Sequence, residues 1–562
     1  MPRPTTSPGR RGRLSEALRE QTAVRLRVGS ERALSADESA HIGQRLSRRR
    51  FLALGGALGA GVLLGCTRGR SGSDEPVSPS RVADQSVAVI GGGLAGLTAA
   101  YWLTRAGMGV TVYEARDRVG GRCWSARDFD GGQVAEHGGE FVDTRHVHLS
   151  MLAEELGLEL DDLWAEWVEG STWPTYVDGE IVRRGELFGP LDEAAKTLAR
   201  TARDIGPWWA AEASDEARAF DEMSMADWFD ANVTGGIGSP LGRAFAQEQS
   251  GWYGLDPERL SAMSLIDYHA VEYPGGDERY TVHGGNDQVP TRLLESLPDG
   301  TVRLESPLEG LRRPGDGSVE LAIAGESSPI RADRVILTLP FTTLREVDLT
   351  GSGLSARALR AIDELGMGTN AKVLLQLSKK HHSFDGWSGG MYRADDPMFT
   401  TWESSSTDGS SADRMSLITV YSGGHVGAGY GPPQPHGPAP EEALGSTLAA
   451  IDAVVPGVDA AFNGRAWLDS WVDDPWARGS YAAYLPGQYT RFAGSSGLAE
   501  GPVHFAGEHT SVFSGFLNGG VESGGRAAIE VLEAIGVPIP PLLQEITRTA
   551  KRYEPSHPWR PS

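Results

Sequence analysis

Residues 87–114 read VAVIGGGLAGLTAAYWLTRAGMGVTVYE. Val87 to Ile90 is a short run of β-branched character, suited to a buried strand. Gly91-Gly92-Gly93-Leu94-Ala95-Gly96 follows at once, and Leu97 to Ala106 has the pattern of a helix. Val110 to Tyr113 is a second strand, ending at Glu114. Gly91 permits the tight turn, Gly93 lets backbone approach a pyrophosphate, and Gly96 lets helix pack closely on strand. The amides at the helix start, including that of Ala95, would face phosphate oxygens. Glu114 stands 18 residues after Gly96, near the position expected for an acid on an adenosine ribose. A glycine turn that only packs helix on sheet would not need the acid. The unit therefore predicts nucleotide binding.

Directly after the second strand, Glu114-Ala115-Arg116-Asp117-Arg118-Val119-Gly120-Gly121-Arg122 places two glycines between arginines. Free amides and guanidinium groups suit a second approach to a pyrophosphate. This segment resembles the Glu-Ala-x-x-Arg-x-Gly-Gly-Arg pattern of the flavin-containing amine oxidase superfamily. More segments carry the same resemblance: Ala135 to Val142, with Gly138, Gly139 and Glu140; Val282 to Asp287 with Pro290; and Pro307-Leu308. Phe505-Ala506-Gly507-Glu508 and Gly515 to Gly524, with Gly520 and Val521, complete it. The resemblance spans roughly residues 87–540 and implies bound FAD. It places Gly91, Gly93, Ala95, Gly96, Glu114, Ala115, Arg116, Gly121, Arg122, Gly138, Gly139, Glu140, Leu308, Gly507, Glu508, Gly520 and Val521 at the cofactor. A helix from about Leu517 to Ile535 would turn its first amides toward the flavin.

The implied fold is α/β: a Rossmann-like FAD-binding domain interleaved with a substrate domain of mixed sheet and helices. Expected bounds are 85–165, 276–345 and 471–540 for the first, 166–275 and 346–470 for the second, and 541–562 for a C-terminal tail. Helical spacing is expected at Leu149 to Leu156 and Leu191 to Ile205. Gly423 to Pro440 reads as a mobile surface loop.

Fold alone does not choose a reaction. Lys372 interrupts an apolar alternation. It is either a snorkelling surface lysine or, by the resemblance, the lysine that holds a water at flavin N5. Where mammalian monoamine oxidases bond the flavin through Cys, this chain has Ser480, which implies non-covalent FAD. Tyr481 and Phe516 fall on the two walls of the family's aromatic cage, and two rings there would attract an amine cation. Core packing is the alternative. Phe141, Trp402, Tyr421 and Trp476 are candidate pocket residues, with packing again the alternative. Related amino-acid oxidases place an Arg where this chain has Phe141, although Arg145 lies four residues on. Glu140 would either favour a second cationic group, as in a diamine or polyamine, or serve as a hydrogen-bonded acid beneath the flavin or an arginine partner.

The expected reaction is oxidation of a primary or secondary amine. Hydride passes to flavin N5, and O₂ then accepts the electrons, giving imine or aldehyde, ammonia and H₂O₂. The alternatives are an L-amino-acid oxidase, a flavin-dependent desaturase or a non-catalytic flavoprotein. His146-x-His148 and His381-His382 lack a third-ligand pattern, so no metal is expected. No G-x-S-x-G elbow supports a hydrolase.

The chain has 562 residues, 40% of them hydrophobic and 23% charged, which suits a large folded core. A net charge of −23 disfavours nucleic acid and would steer cationic amines. Ser47-Arg48-Arg49-Arg50-Phe51-Leu52 resembles a twin-arginine export signal, which would engage the translocase. The apolar run Phe51 to Leu64 is too short to span a bilayer as a helix. It ends at Cys66, so residues 1–66 form either a lipoprotein signal, with Cys66 as the lipidated anchor, or a plain signal with a chance cysteine. The 46 residues before it are long for such a signal. They are either disordered or precede the true start. Residues 67–84 read as a linker. An exported protein is expected, touching membrane only through signal or lipid. Only Cys66 and Cys123 are present, so a disulfide framework is excluded.

Overall fold

The structure, a computed structural model, describes residues 85–551 except 166–169, 190, 207, 209–212, 271–276 and 408–414. The export motif, Cys66 and the linker lie outside the described residues, as do residues 552–562.

A parallel five-stranded sheet runs in the order Val503–Phe505, Arg334–Leu337, Ser86–Ile90, Gly109–Tyr113, Val302–Arg303. The opening stretch forms its centre. Ser86–Ile90 pairs in register with Gly109–Tyr113, and the intervening helix is Leu94–Arg105. That helix is buried along nearly its whole length, which explains its mostly apolar sequence. Packed against it lies the helix Leu517–Ile535, with the bounds expected. Glycines allow the close approach. A Cβ at Gly524 would come 2.3 Å from the Ala95 carbonyl oxygen. Gly96 meets its expected packing role: a Cβ there would lie 1.9 Å from the Gly91 carbonyl oxygen.

A second, eight-stranded sheet is mixed. Its order is His436–Pro438, Phe462–Ser470, Ala371–Leu377, Ser416–Ser422, Phe399–Glu403, Met391–Arg393, Thr175–Val177, Glu180–Val182. Neighbours are antiparallel except Thr175–Val177 beside Met391–Arg393. Its register matters for the site. Lys372 stands opposite Tyr421 on one side and Asp469 on the other. Directly opposed residues share a face, so all three project together. The helices Val147–Glu155 and Leu191–Asp204 occupy the two expected helical stretches.

Two expectations are corrected. The C-terminal segment starts as a helix, Pro541–Ala550, whose Leu543 and Ile546 join the core around the Leu94–Arg105 helix. The Gly423 to Pro440 segment is not merely a surface loop. It carries the short helix Gly424–Ala428 and the sheet's edge strand, and the His436 imidazole is largely buried.

Candidate active site

A cavity of about 1520 Å³, partly open to solvent, runs along the C-terminal ends of the parallel strands. Gly91, Gly93, Ala95, Glu114, Ala115, Arg116, Gly121, Arg122, Gly139, Leu308, Gly507, Glu508 and Gly520 line it. Tyr481 and Phe516 reach it as well. The starts of both buried helices open into it through Leu94, Ala95 and Leu517. This is the crevice where α/β sheets bind nucleotides. At Gly93 a Cβ would meet only the Gly120 carbonyl oxygen, at 4.0 Å, so any side chain there would enter the cavity.

The glycine turn is braced from within the chain. The Glu114 carboxylate accepts from the Gly92 amide at 2.6 Å and the Arg116 amide at 2.8 Å. Glu508 performs the same service at the other end. Its carboxylate accepts from Arg122 Nη1 at 3.1 Å and from the amides of Ala482 at 3.1 Å and Gly515 at 2.9 Å. Burial opposes ionisation of Glu508, yet the Arg122 and His509 charges and these amides hold it below the usual carboxylate range. Glu508 thus fixes the turn that presents Phe516.

A second cavity, of about 590 Å³, adjoins the first and shares Arg122, Gly139, Ser480, Tyr481 and Phe516 with it. Gly138, Glu140, Phe141, Lys372 and Tyr421 complete the expected part of its wall. Lys372 is only 3% exposed, so the snorkelling alternative fails. Its ammonium donates to the carbonyl oxygens of Glu136 and Gly138, both at 2.8 Å, and to Glu140 Oε2 at 2.9 Å. Trp402 Nε1 donates to the other Glu140 oxygen at 2.7 Å. Glu140 is therefore the buried partner of Lys372, which leaves the reading as a binder of a second cationic group without support.

Tyr481 and Phe516 are brought to the same cavity. The Tyr481 hydroxyl donates to the Gly251 carbonyl at 2.7 Å and lies 2.9 Å from the Tyr421 hydroxyl. Phe516 is backed by His146, ring centroids 4.8 Å apart. Arg145, the candidate substitute for a carboxylate-binding arginine, sits behind Phe516. Its guanidinium carbon is 6.0 Å from that ring, and its Nε donates to Asp143 at 3.0 Å. Burial holds the adjacent His146 down to about 4, against the pull of the Asp143 charge.

Three placements differ from expectation. Trp402 is fully buried behind the wall, with ring centroids 5.5 Å from both Phe141 and Tyr421. Trp476 lines the first cavity rather than the second and is 41% exposed. Val521 is a core residue packed with the Leu94–Arg105 helix. Among the described residues no group of three or more His, Cys, Asp or Glu could hold a metal.

Sequence reasoning also missed contributors. Thr338, Leu339 and Pro340, at the end of the Arg334–Leu337 strand, line the first cavity. Their place after a parallel strand was a usable signal. Asn370 lines the second cavity and accepts from Ser480 Oγ at 2.6 Å. Nothing but its proximity to Lys372 marked it.

Comparison with known proteins agrees with this geometry. The family model for flavin containing amine oxidoreductase matches residues 94–532. Amine oxidase [flavin-containing] A of Sus scrofa is 27% identical over 473 residues, covering 80% of this chain and 85% of that one. The L-glutamate oxidase precursor of Streptomyces viridosporus is 26% identical over 592 residues, covering 80% and 86%. Among solved structures, cyclohexylamine oxidase from Brevibacterium oxydans IH-35A superposes with a TM-score of 0.68 at 23% identity. That match covers 81% of this chain and 100% of the other. Wild-type putrescine oxidase bound to putrescine also gives 0.68 at 23% identity, over 80% and 99%. The protein belongs to the family of flavin-containing amine oxidoreductases, enzymes that oxidise amines.

Proposed function

We propose that this chain binds FAD non-covalently and oxidises a primary or secondary amine that lacks an α-carboxylate. The carrying observation is the second cavity's wall, where a buried lysine is held by three oxygen acceptors beside Tyr421, Tyr481 and Phe516. The residues of the first cavity suit FAD. The cradle around Gly93 is open to a ligand, two helix starts face it, and Arg122 bridges both cavities. Bound there, the flavin supplies a two-electron acceptor that O₂ can reoxidise, giving H₂O₂.

The chain's own residues supply the rest. Tyr481 and Phe516 confine the amine and exclude water. The paired hydroxyls of Tyr421 and Tyr481 form a polar edge for the substrate nitrogen. Lys372 places a fixed positive charge where negative charge would accumulate on reduction. Its donors are already spent on Glu136, Gly138 and Glu140, so it cannot swing away without leaving a buried carboxylate unpaired. The capture of Arg145 by Asp143 behind Phe516 favours amines over α-amino acids. Ser480 stands where a cysteine would tether the flavin, so denaturation in acid should release all of it.

We further propose that the protein is exported as a folded holoprotein by the twin-arginine route, with Cys66 as a lipid anchor. The decisive test of function is peroxide release from the purified protein across monoamines, diamines, polyamines and L-amino acids. Turnover of amines supports the reading, whereas turnover of α-amino acids alone overturns it.

A further inference from the structure

A chain of buried charged groups connects the first cavity to the mixed sheet, and no step above uses it. Arg116, in the cavity wall, makes a two-pronged pair with Asp474, both contacts 2.8 Å. His436 Nε2 reaches Asp474 Oδ2 at 2.8 Å, and its Nδ1 reaches Asp469 Oδ1 at 2.8 Å. Asp469 Oδ2 then meets His137 Nδ1 at 2.9 Å. Both carboxylates are buried, and the imidazole nearly so.

A neutral imidazole has one N–H and one lone pair. Between two carboxylates, the lone pair would face an anion with no water to intervene. Only the doubly protonated ring donates to both. The groups around it are consistent. Its ring makes T-shaped contacts with Trp124, centroids 5.4 Å apart, and Trp471, at 4.6 Å. Two further cations flank the chain: Arg118 is stacked on Trp124 at 4.3 Å, and Lys372 stands opposite Asp469 in the sheet. Burial disfavours the charge on His436, but the hydrogen bonds and charges of Asp469 and Asp474 outweigh it and raise its pKa. Burial likewise opposes ionisation of Asp474, yet donors from His436 and Arg116 hold it well below the usual range.

We propose that His436 is a protonation-dependent positioning residue for the cofactor: as a cation it bridges Asp469 and Asp474, and so fixes the carboxylate that aims Arg116 along the cavity. Arg116 in turn is tied by its amide to Glu114, the brace of the glycine turn. Loss of the His436 proton leaves Asp474 one donor short, or Asp469 facing a lone pair. Arg116 and the turn then loosen together, and the bound dinucleotide is held less tightly.

This inference rests on the FAD reading. The test is the FAD dissociation constant of the holoprotein, followed by flavin fluorescence from pH 6 to 9.5. Wild type should show one proton-linked step toward weaker binding as pH rises. In His436→Gln the step should vanish, and binding at pH 6.5 should weaken at least about tenfold, as expected from losing one charge-assisted hydrogen bond. Asp469→Asn removes one of the two carboxylates that hold the proton, so its step should move to lower pH, a shift that a merely structural role would not produce. A flat wild-type profile, a step that persists in His436→Gln, or an unmoved step in Asp469→Asn overturns the inference and leaves the FAD reading intact. A colourless protein that takes up no added FAD overturns both.

Discussion

Replacing Lys372 by Met removes one group with two separable jobs. The ammonium is the charged partner of Glu140, and both side chains are almost wholly buried, at 4% and 3%. Taking one member from a buried ion pair strands the other, typically at about 3–5 kcal/mol. Trp402 Nε1 remains on Glu140 Oε1, which softens the loss. About 3 kcal/mol is therefore expected, read as a lower urea midpoint of the holoprotein. Electrostatic stabilisation by one preorganised donor is worth about 10²–10³ in rate. Stopped-flow oxidation of the reduced flavin by O₂ should slow by about that factor. The double variant Lys372→Met with Glu140→Gln separates the jobs: stability should recover by most of the loss, since no buried charge is stranded, while reoxidation stays slow. Reoxidation at the wild-type rate in Lys372→Met would refute the electrostatic role. Failure of the double variant to regain stability would refute the stranded-carboxylate reasoning.

Tyr481→Phe keeps the ring but removes the hydroxyl that reaches the Gly251 carbonyl and Tyr421. Neutral hydrogen bonds are worth about 1 kcal/mol, so kcat/KM should fall by less than about tenfold, and Tyr481→Ala much further. Equal losses in the two would deny the ring its confining role. Gly96→Ala would force a Cβ to within 1.9 Å of the Gly91 carbonyl oxygen, where backbone must move. Overpacking costs about 1–3 kcal/mol or more, and the purified variant should carry substoichiometric flavin; full occupancy at unchanged melting temperature would contradict this. His509 is held down by burial to about 4, from an ordinary 6.5. The unfolded chain therefore binds a proton there that the folded chain refuses, and the stability is present above pH 6.5 and lost as pH falls toward 4. At about 1.4 kcal/mol per pH unit the loss is about 3 kcal/mol. The stability of His509→Gln relative to wild type should improve by about that amount between pH 6.5 and 4, measured by urea unfolding at each pH. A difference independent of pH would place the titration elsewhere.

What could be read from the sequence, and what could not, follows physical lines. The unit from Val87 to Glu114 is legible because strand, turn and helix are each encoded locally, and Gly96 is demanded by the Gly91 carbonyl oxygen only five residues before it. The Leu517–Ile535 helix is legible for the same reason. Lys372 is visible because a charge inside an apolar strand must be explained. Facing direction is harder to read. Gly520 and Val521 are neighbours, but about 100° separates successive helical residues; one faces the cavity and the other the core. Trp402 and Trp476 are alike as letters. Only the sheet register puts Trp402 behind Tyr421, and only the loop after Asp474 puts Trp476 in the wall of the first cavity. Arg145 looked available because its partner Asp143 and its screen Phe516 are, respectively, too common and too distant in sequence to signal the pairing. His436 was hidden in a Gly/Pro-rich segment, since its meaning arises from an edge-strand pairing with residues 467–469.

Anaerobic titration of the purified protein with amines tests the proposed chemistry most directly. Stoichiometric bleaching of the bound flavin by an amine without a carboxylate, with the flavin released in full by acid, is the expected result. Bleaching by α-amino acids alone, or by no amine at all, would contradict it.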